Sequence, residues 1–199
     1  GASRQARPVH NTGVNHMPPA SPAANAPASI THYENFPVAS WLCPPRLRGP
    51  IAAIYHFART ADDLADEGQH GAEQRLAQLQ QYGADLQQLG SAGEAAMLMR
   101  TAWPHIFGPL AVQVQAHGLP KPLLADLLSA FEQDVRMTVA QTRYTDMAQL
   151  LDYCRRSANP VGRLLLHLYG VVNAKALIQS DAICTALQLI NFWQDLSQD

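Results

Sequence analysis

Carboxylates one helical turn apart occur twice in this chain, as Asp62-Asp63-Leu64-Ala65-Asp66 and as Asn191…Asp195…Asp199. On a helix, residues four apart share a face, so each pair projects to one side and its members repel one another. One such pair is ordinarily a solvated face. Two pairs, each closing an otherwise apolar helical stretch, suit paired grips on a divalent cation shared with a polyphosphate.

Each pair belongs to a longer polar row. Tyr55, Arg59, Asp62 and Asp66 follow one another at +4, +3 and +4, and the remaining faces carry Ile51, Ile54, Phe57, Ala58 and Ala61 for packing. An arginine one turn before two aspartates can be a salt bridge and nothing else. It can equally bind a phosphate bidentately while the aspartates hold its magnesium. Gln188, Asn191, Asp195 and Asp199 follow at +3, +4 and +4, against a face of Ile183, Leu187, Ile190 and Leu196. Oxygen donors in line suit Mg2+, a hard ion that keeps several waters and is shared with substrate phosphates. With a ligand as its last residue, the chain reads as the N-terminal part of something longer.

Other chemistries fit less well. Glu67 and His70 have the Glu-x-x-His spacing of carboxylate-bridged iron sites, but such sites need two of these motifs on helices, and here a glycine interrupts one. The eight histidines form no His-x-x-x-His pair, the three cysteines no Cys-x-x-Cys pair, and neither a Gly-rich phosphate loop nor a Gly-x-Ser-x-Gly elbow occurs.

The rows need helices to carry them, and from residue 31 onward the pattern is helical with Pro/Gly punctuation and no alternating strand. The expected helices are 37–43, 46–67, 72–89, 92–117 (kinked or split at Trp103-Pro104), 120–140, 146–157, 160–171 and 180–198. Thr145 or Asp146 is the expected N-cap of one, and Ser180 of the last. Pro120 and Pro160 sit where helix starts tolerate proline. Residues 1–30 hold five prolines and no acidic residue, a composition that predicts a disordered tail before a single all-α domain over 31–199.

At 199 residues, 47% of them hydrophobic and 15% charged, the chain can form one sizeable and rather apolar core. A formal charge of −2 leaves no electrostatic footprint for nucleic acid. Cys43, Cys154 and Cys184 read as reduced thiols, and no apolar run reaches the roughly 18 residues of a membrane span, so a cytoplasmic location is expected.

Taken together, "IYHFARTADDLADE", the later "LQLINFWQDLSQD" and the central "YCRRSANPVG" resemble the squalene/phytoene synthase family. "HYENFPVASWL" and "SANPVG" are similar to its hydroxysqualene-forming branch. The resemblance covers roughly residues 31–199. It implies an all-α isoprenoid synthase bundle around a central apolar cavity, with a basic segment and further helices beyond Asp199. It also implies an isoprenoid diphosphate substrate and Mg2+ as cofactor. Asp62, Asp66, Asp195 and Asp199 then match the metal-binding positions, with Asp63 accessory. His32, Tyr55, Arg59, Gln188 and Asn191 match the diphosphate end of the site, and Tyr153 matches a tyrosine facing the reaction chamber. Where much of the family has Ala-Gly-x-Val-Gly, this chain reads Ala158-Asn159-Pro160-Val161-Gly162.

The expected reaction is ionisation of presqualene diphosphate and capture of the rearranged cation by water, giving hydroxysqualene. Arg59 would assist diphosphate departure, and Tyr153 and Asn159 would supply polarity in the chamber, Asn159 by placing the water. The alternatives are condensation of farnesyl diphosphate to presqualene diphosphate or of geranylgeranyl diphosphate to phytoene, a non-catalytic scaffold of the same fold, and a helical lipid carrier. Lipid substrates are compatible with peripheral membrane contact, although no basic amphipathic helix supports it. The oligomeric state is left open.

Overall fold

The computed structural model describes residues 43–66 and 71–196, with side chains described as far as Gln194. Eight α-helices account for nearly all of them: α1 (Pro45–Asp66), α2 (Ala72–Gln88), α3 (Glu94–Arg100), α4 (Pro104–His117), α5 (Lys121–Ala140), α6 (Met147–Ser157), α7 (Asn159–Leu168) and α8 (Ala174–Leu196). No strand occurs among the described residues. The expected all-α class holds. The expected helix at 37–43 and the tail over 1–30 fall outside the described residues, as does the Glu67–His70 segment.

The core forms where α1 meets α2, α4 and α5. Ile51, Ile54, Phe57, Ala58 and Ala61, the apolar residues read from the sequence, are all buried along α1, and Ala65 continues that face. At its centre the Phe57 and Tyr82 rings stack with centroids 4.9 Å apart. Phe107 and Trp103 close on Tyr82 at 4.8 and 5.0 Å. Such aromatic packing combines a large buried area with favourable quadrupole geometry. The Tyr82 hydroxyl donates to the Phe57 carbonyl at 3.1 Å. Burial pushes its ionisation well above the ordinary phenol range, which keeps it a neutral donor.

The helix ends follow local chemistry. Thr101 to Trp103 separate α3 from α4, with Pro104 at the start of α4 where its missing N–H costs nothing. Gly118, at φ 57°, ends α4 in the left-handed region that a side chain disfavours. Asp146 is the N-cap of α6, its carboxylate accepting from the Gln149 amide at 2.9 Å. α6 and α7 are parted at Ala158, with Pro160 in the first turn of α7. The last helix begins six residues before the expected Ser180. The Asn173 side chain accepts from the Ala176 amide at 2.8 Å there, and Ser180 lies within the helix. Asparagine at that position offers the cap that was expected at Ser180, nearly two turns later.

Two devices hold α7 against α8. Arg163 pairs with Asp181 through Nε at 2.9 Å and Nη2 at 2.6 Å, a two-pronged geometry that fixes angle as well as distance. Gly162 lets the helices approach closely, since a Cβ there would lie 2.4 Å from Ser180 Oγ and 2.7 Å from Cys184 Sγ. The outer face of α8 departs from expectation. Ile183, Leu187 and Ile190 remain 61%, 58% and 44% exposed, because α8 packs against α6 and α7 with its other side.

Candidate active site

Helix α1 delivers the first polar row. The Arg59 guanidinium is held by the carboxylates ahead of it, with Nη1 3.3 Å from Asp62 and Nε 3.0 Å from Asp63. The side chain of Asp62 is 14% exposed and that of Asp63 is 37% exposed, so Asp62 faces inward and Asp63 sits toward solvent. Tyr55, one turn before Arg59, is half-buried, and Asp66 is exposed at the end of the helix.

A third carboxylate joins this row from another helix. Asp134 on α5 is partly buried, and its titration is pushed up to about 7, chiefly by desolvation, with the charges of Asp66 and Asp62 adding to the rise. The Tyr153 hydroxyl of α6 donates to Asp134 Oδ2 at 2.6 Å and offsets part of that cost. Asp134 did not figure among the residues singled out from the sequence. The signal was available: Leu127, Phe131 and Asp134 fall at +4 and +3 on α5, which puts one charge in line with apolar neighbours.

Tyr153 is buried at the junction of α5, α6 and α8. Its ring lies 5.5 Å from Tyr144 and 5.8 Å from Phe192, and those two lie 5.9 Å from each other, forming a triangle of tilted and edge-on contacts. Phe192 directly follows Asn191, so the helix carrying the second polar row reaches the tyrosine that is bonded to Asp134. Burial, and then the Asp134 charge, raise the ionisation of Tyr144 above the phenol range, leaving it neutral. One turn further along the same face of α6, Arg156 binds Asp152 on its own helix and Ser129 and Gln133 on α5, fixing the register of the two helices.

On α8, Gln188 is buried and Asn191 is half-buried. Asp195 lies in the helix, but its side chain is outside the described residues, as are Asp199 and His32. Asn159 is buried at the first turn of α7, where its Oδ1 accepts from the Thr185 hydroxyl of α8 at 2.9 Å, one turn before Gln188. Arg59, Asp62, Asp63, Asp134 and Tyr153 are therefore linked through contacts and charge. Asn159 approaches the second row from α7.

Hard oxygen donors dominate both rows, a donor set that fits Mg2+ and would not favour a soft metal. Among the described residues no three acidic, histidine or cysteine side chains converge to hold a metal by themselves. No helix among the described residues is long and apolar enough to cross a membrane.

The helical architecture, with acidic rows on its first and last described helices, defines the class. Residues 30–199 match the squalene/phytoene synthase family, and the chain belongs to that family. Among its relatives, it is 41% identical over 167 residues to the hydroxysqualene synthase of Zymomonas mobilis subsp. mobilis, covering 83% of this chain and 51% of that protein. It is 38% identical over 166 residues to the hydroxysqualene synthase of Sinorhizobium fredii, again covering 83% and 51%. The presqualene diphosphate synthase of Rhodopseudomonas palustris is 31% identical over 180 residues, 90% of this chain and 60% of that protein. The crystal structure of squalene synthase HpnC from Alicyclobacillus acidocaldarius superposes with a TM-score of 0.65 at 34% identity, over 85% of this chain and 60% of that one. The chain thus spans about half the length of the hydroxysqualene synthases it matches.

Proposed function

We propose that this chain forms the diphosphate-gripping part of an enzyme that converts presqualene diphosphate and water into hydroxysqualene and diphosphate. The observation that carries the proposal is the linkage of the acidic row on α1, through Asp134, to a buried tyrosine packed on the helix of the second row. The similarity to hydroxysqualene synthases supports this product over the alternatives.

Asp62, Asp66, Asp195 and Asp199 would hold magnesium, which when bound supplies positive charge to stabilise the departing diphosphate. Arg59 turns from its aspartates to the diphosphate oxygens, which its planar fork matches. Tyr55, Gln188 and Asn191 would serve the same end, as would His32, which lies outside the described residues. The carbon–oxygen bond breaks with its electron pair leaving on diphosphate, and the cation rearranges next to Tyr153. Water supplies the new hydroxyl oxygen and releases one proton to the leaving group or to solvent. Asn159, at the α7–α8 contact, is our candidate for positioning that water. Tyr144 and Phe192 cover the Tyr153 ring with apolar surface, which limits the general hydration that would quench the cation early.

Asp62→Ala in the full-length protein should abolish consumption of presqualene diphosphate while the helical circular dichroism spectrum stays unchanged. Retained turnover in that variant would overturn the proposal. Condensation of farnesyl diphosphate to presqualene diphosphate is the second reading, supported by the relative of that name. Intact acidic residues in both rows count against a purely scaffolding role.

A further inference from the structure

We propose that Asp134 is a positioning residue that acts through Tyr153, committing the phenolic proton to its own carboxyl so that Tyr153 meets the substrate with oxygen lone pairs alone. The inference deepens the proposed function and rests on Tyr153 facing the reacting carbons.

The geometry carries it in three parts. The Tyr153 hydroxyl donates to Asp134 Oδ2 at 2.6 Å, the short distance of a charge-assisted bond between a phenol and a carboxylate. A phenol has one proton to donate, so a proton held there is not offered to a diphosphate oxygen. Tyr144 and Phe192 pack on the Tyr153 ring from two directions, which fixes the plane in which the remaining lone pairs point.

The position of Asp134 is also a costly one for packing alone. A partly buried carboxylate is unfavourable unless hydrogen-bonded, and the Tyr153 hydroxyl supplies that bond. A phenol oxygen whose proton points into a carboxylate is enriched in electron density. It suits an electron-poor carbon and is ill suited to an anionic leaving group. The arrangement separates two tasks: Arg59 and the acidic rows handle the diphosphate, and the Asp134–Tyr153 pair faces the cation.

The test is a double-mutant cycle in the full-length protein at pH 8, using whichever of presqualene, farnesyl or geranylgeranyl diphosphate the wild type consumes. Asp134→Ala and Tyr153→Phe should each lower kcat about 10- to 100-fold, the range set by one hydrogen bond to a charged group, with KM within about threefold. The double variant should fall no further than Tyr153→Phe alone, within about twofold. Asp134→Asn, whose amide oxygen can still accept the phenolic proton, should recover at least about threefold of the loss.

Multiplying losses in the double variant would overturn the inference, as would an unchanged kcat with only a lower melting temperature. A wild type that consumes farnesyl but not presqualene diphosphate would overturn the proposed function and leave this cycle readable. A wild type that consumes none of the three would overturn both.

Discussion

Arg59 reaches forward along its own helix to Asp62, with 3.3 Å between guanidinium and carboxylate. The only guanidinium of the first polar row is thus occupied by the side chains expected to hold metal. An anion must compete with those carboxylates unless a cation draws them away. Arginine and magnesium become partners in one event rather than separate binding sites.

The first prediction follows from that competition. Inorganic diphosphate should bind tightly only when magnesium is present, and Arg59→Gln should weaken that binding about 10- to 100-fold, the loss expected for charge-assisted hydrogen bonds. Asp63→Asn, which removes the more solvent-facing partner, should change the affinity by less than about threefold. Isothermal titration calorimetry with and without magnesium measures both.

Asp134 gives a prediction about pH. Its titration lies at about 7 in the folded chain against an ordinary value of 3.8, so the folded state holds a proton that the unfolded state releases. Between those values the folded state binds more protons, and stability therefore falls as pH rises from about 4 to about 7, then levels off. The loss is roughly 4 kcal/mol at most, from about three pH units. In magnesium-free buffer, urea unfolding of Asp134→Asn should show a shallower decline over that window than the wild type. An identical decline in both would contradict the assignment.

The fold and the first polar row were legible in the sequence because both rest on helical periodicity. The five residues its spacing selected on α1 are all buried, together with Leu47, Pro50, Ala53 and Ala65, and Arg59, Asp62 and Asp66 are less buried than these. Asp134 was less legible, since a single charge on an apolar stripe gains meaning only when Tyr153 arrives from another helix 19 residues later. Ser180 was misjudged because it resembles a cap as well as Asn173 does, and only the backbone shows which residue starts the turn. The exposure of Ile183, Leu187 and Ile190 on α8 was not legible, because amphipathicity reveals that a helix has two sides, not which side finds a neighbour.

Close approach of α7 and α8 yields a stability prediction. Gly162→Ala forces a Cβ into Ser180 Oγ and Cys184 Sγ and should cost about 1–3 kcal/mol, as overpacking does in a tight interface. Adding Ser180→Gly, which removes the nearer atom, should relieve part of that cost. Chemical denaturation of the single and double variants checks both expectations.

Asn159 and Thr185 supply a second test at the same interface. Asn159→Ala leaves the Thr185 hydroxyl without the acceptor it now has, at about 1–2 kcal/mol. Thr185→Val should leave stability within about 1 kcal/mol of Asn159→Ala, and the double variant should lose less than the two single losses added together. If Asn159 also positions water, its variant will shift product toward other cation fates while Thr185→Val shifts it less. Product chromatography separates these outcomes.

Water capture of the cation is decided by identifying the product after incubating the full-length protein with presqualene diphosphate and magnesium in water enriched in oxygen-18. Hydroxysqualene carrying the heavy oxygen is the expected product, released with one equivalent of diphosphate. Unconsumed presqualene diphosphate, or a hydrocarbon product without added oxygen, would contradict water capture.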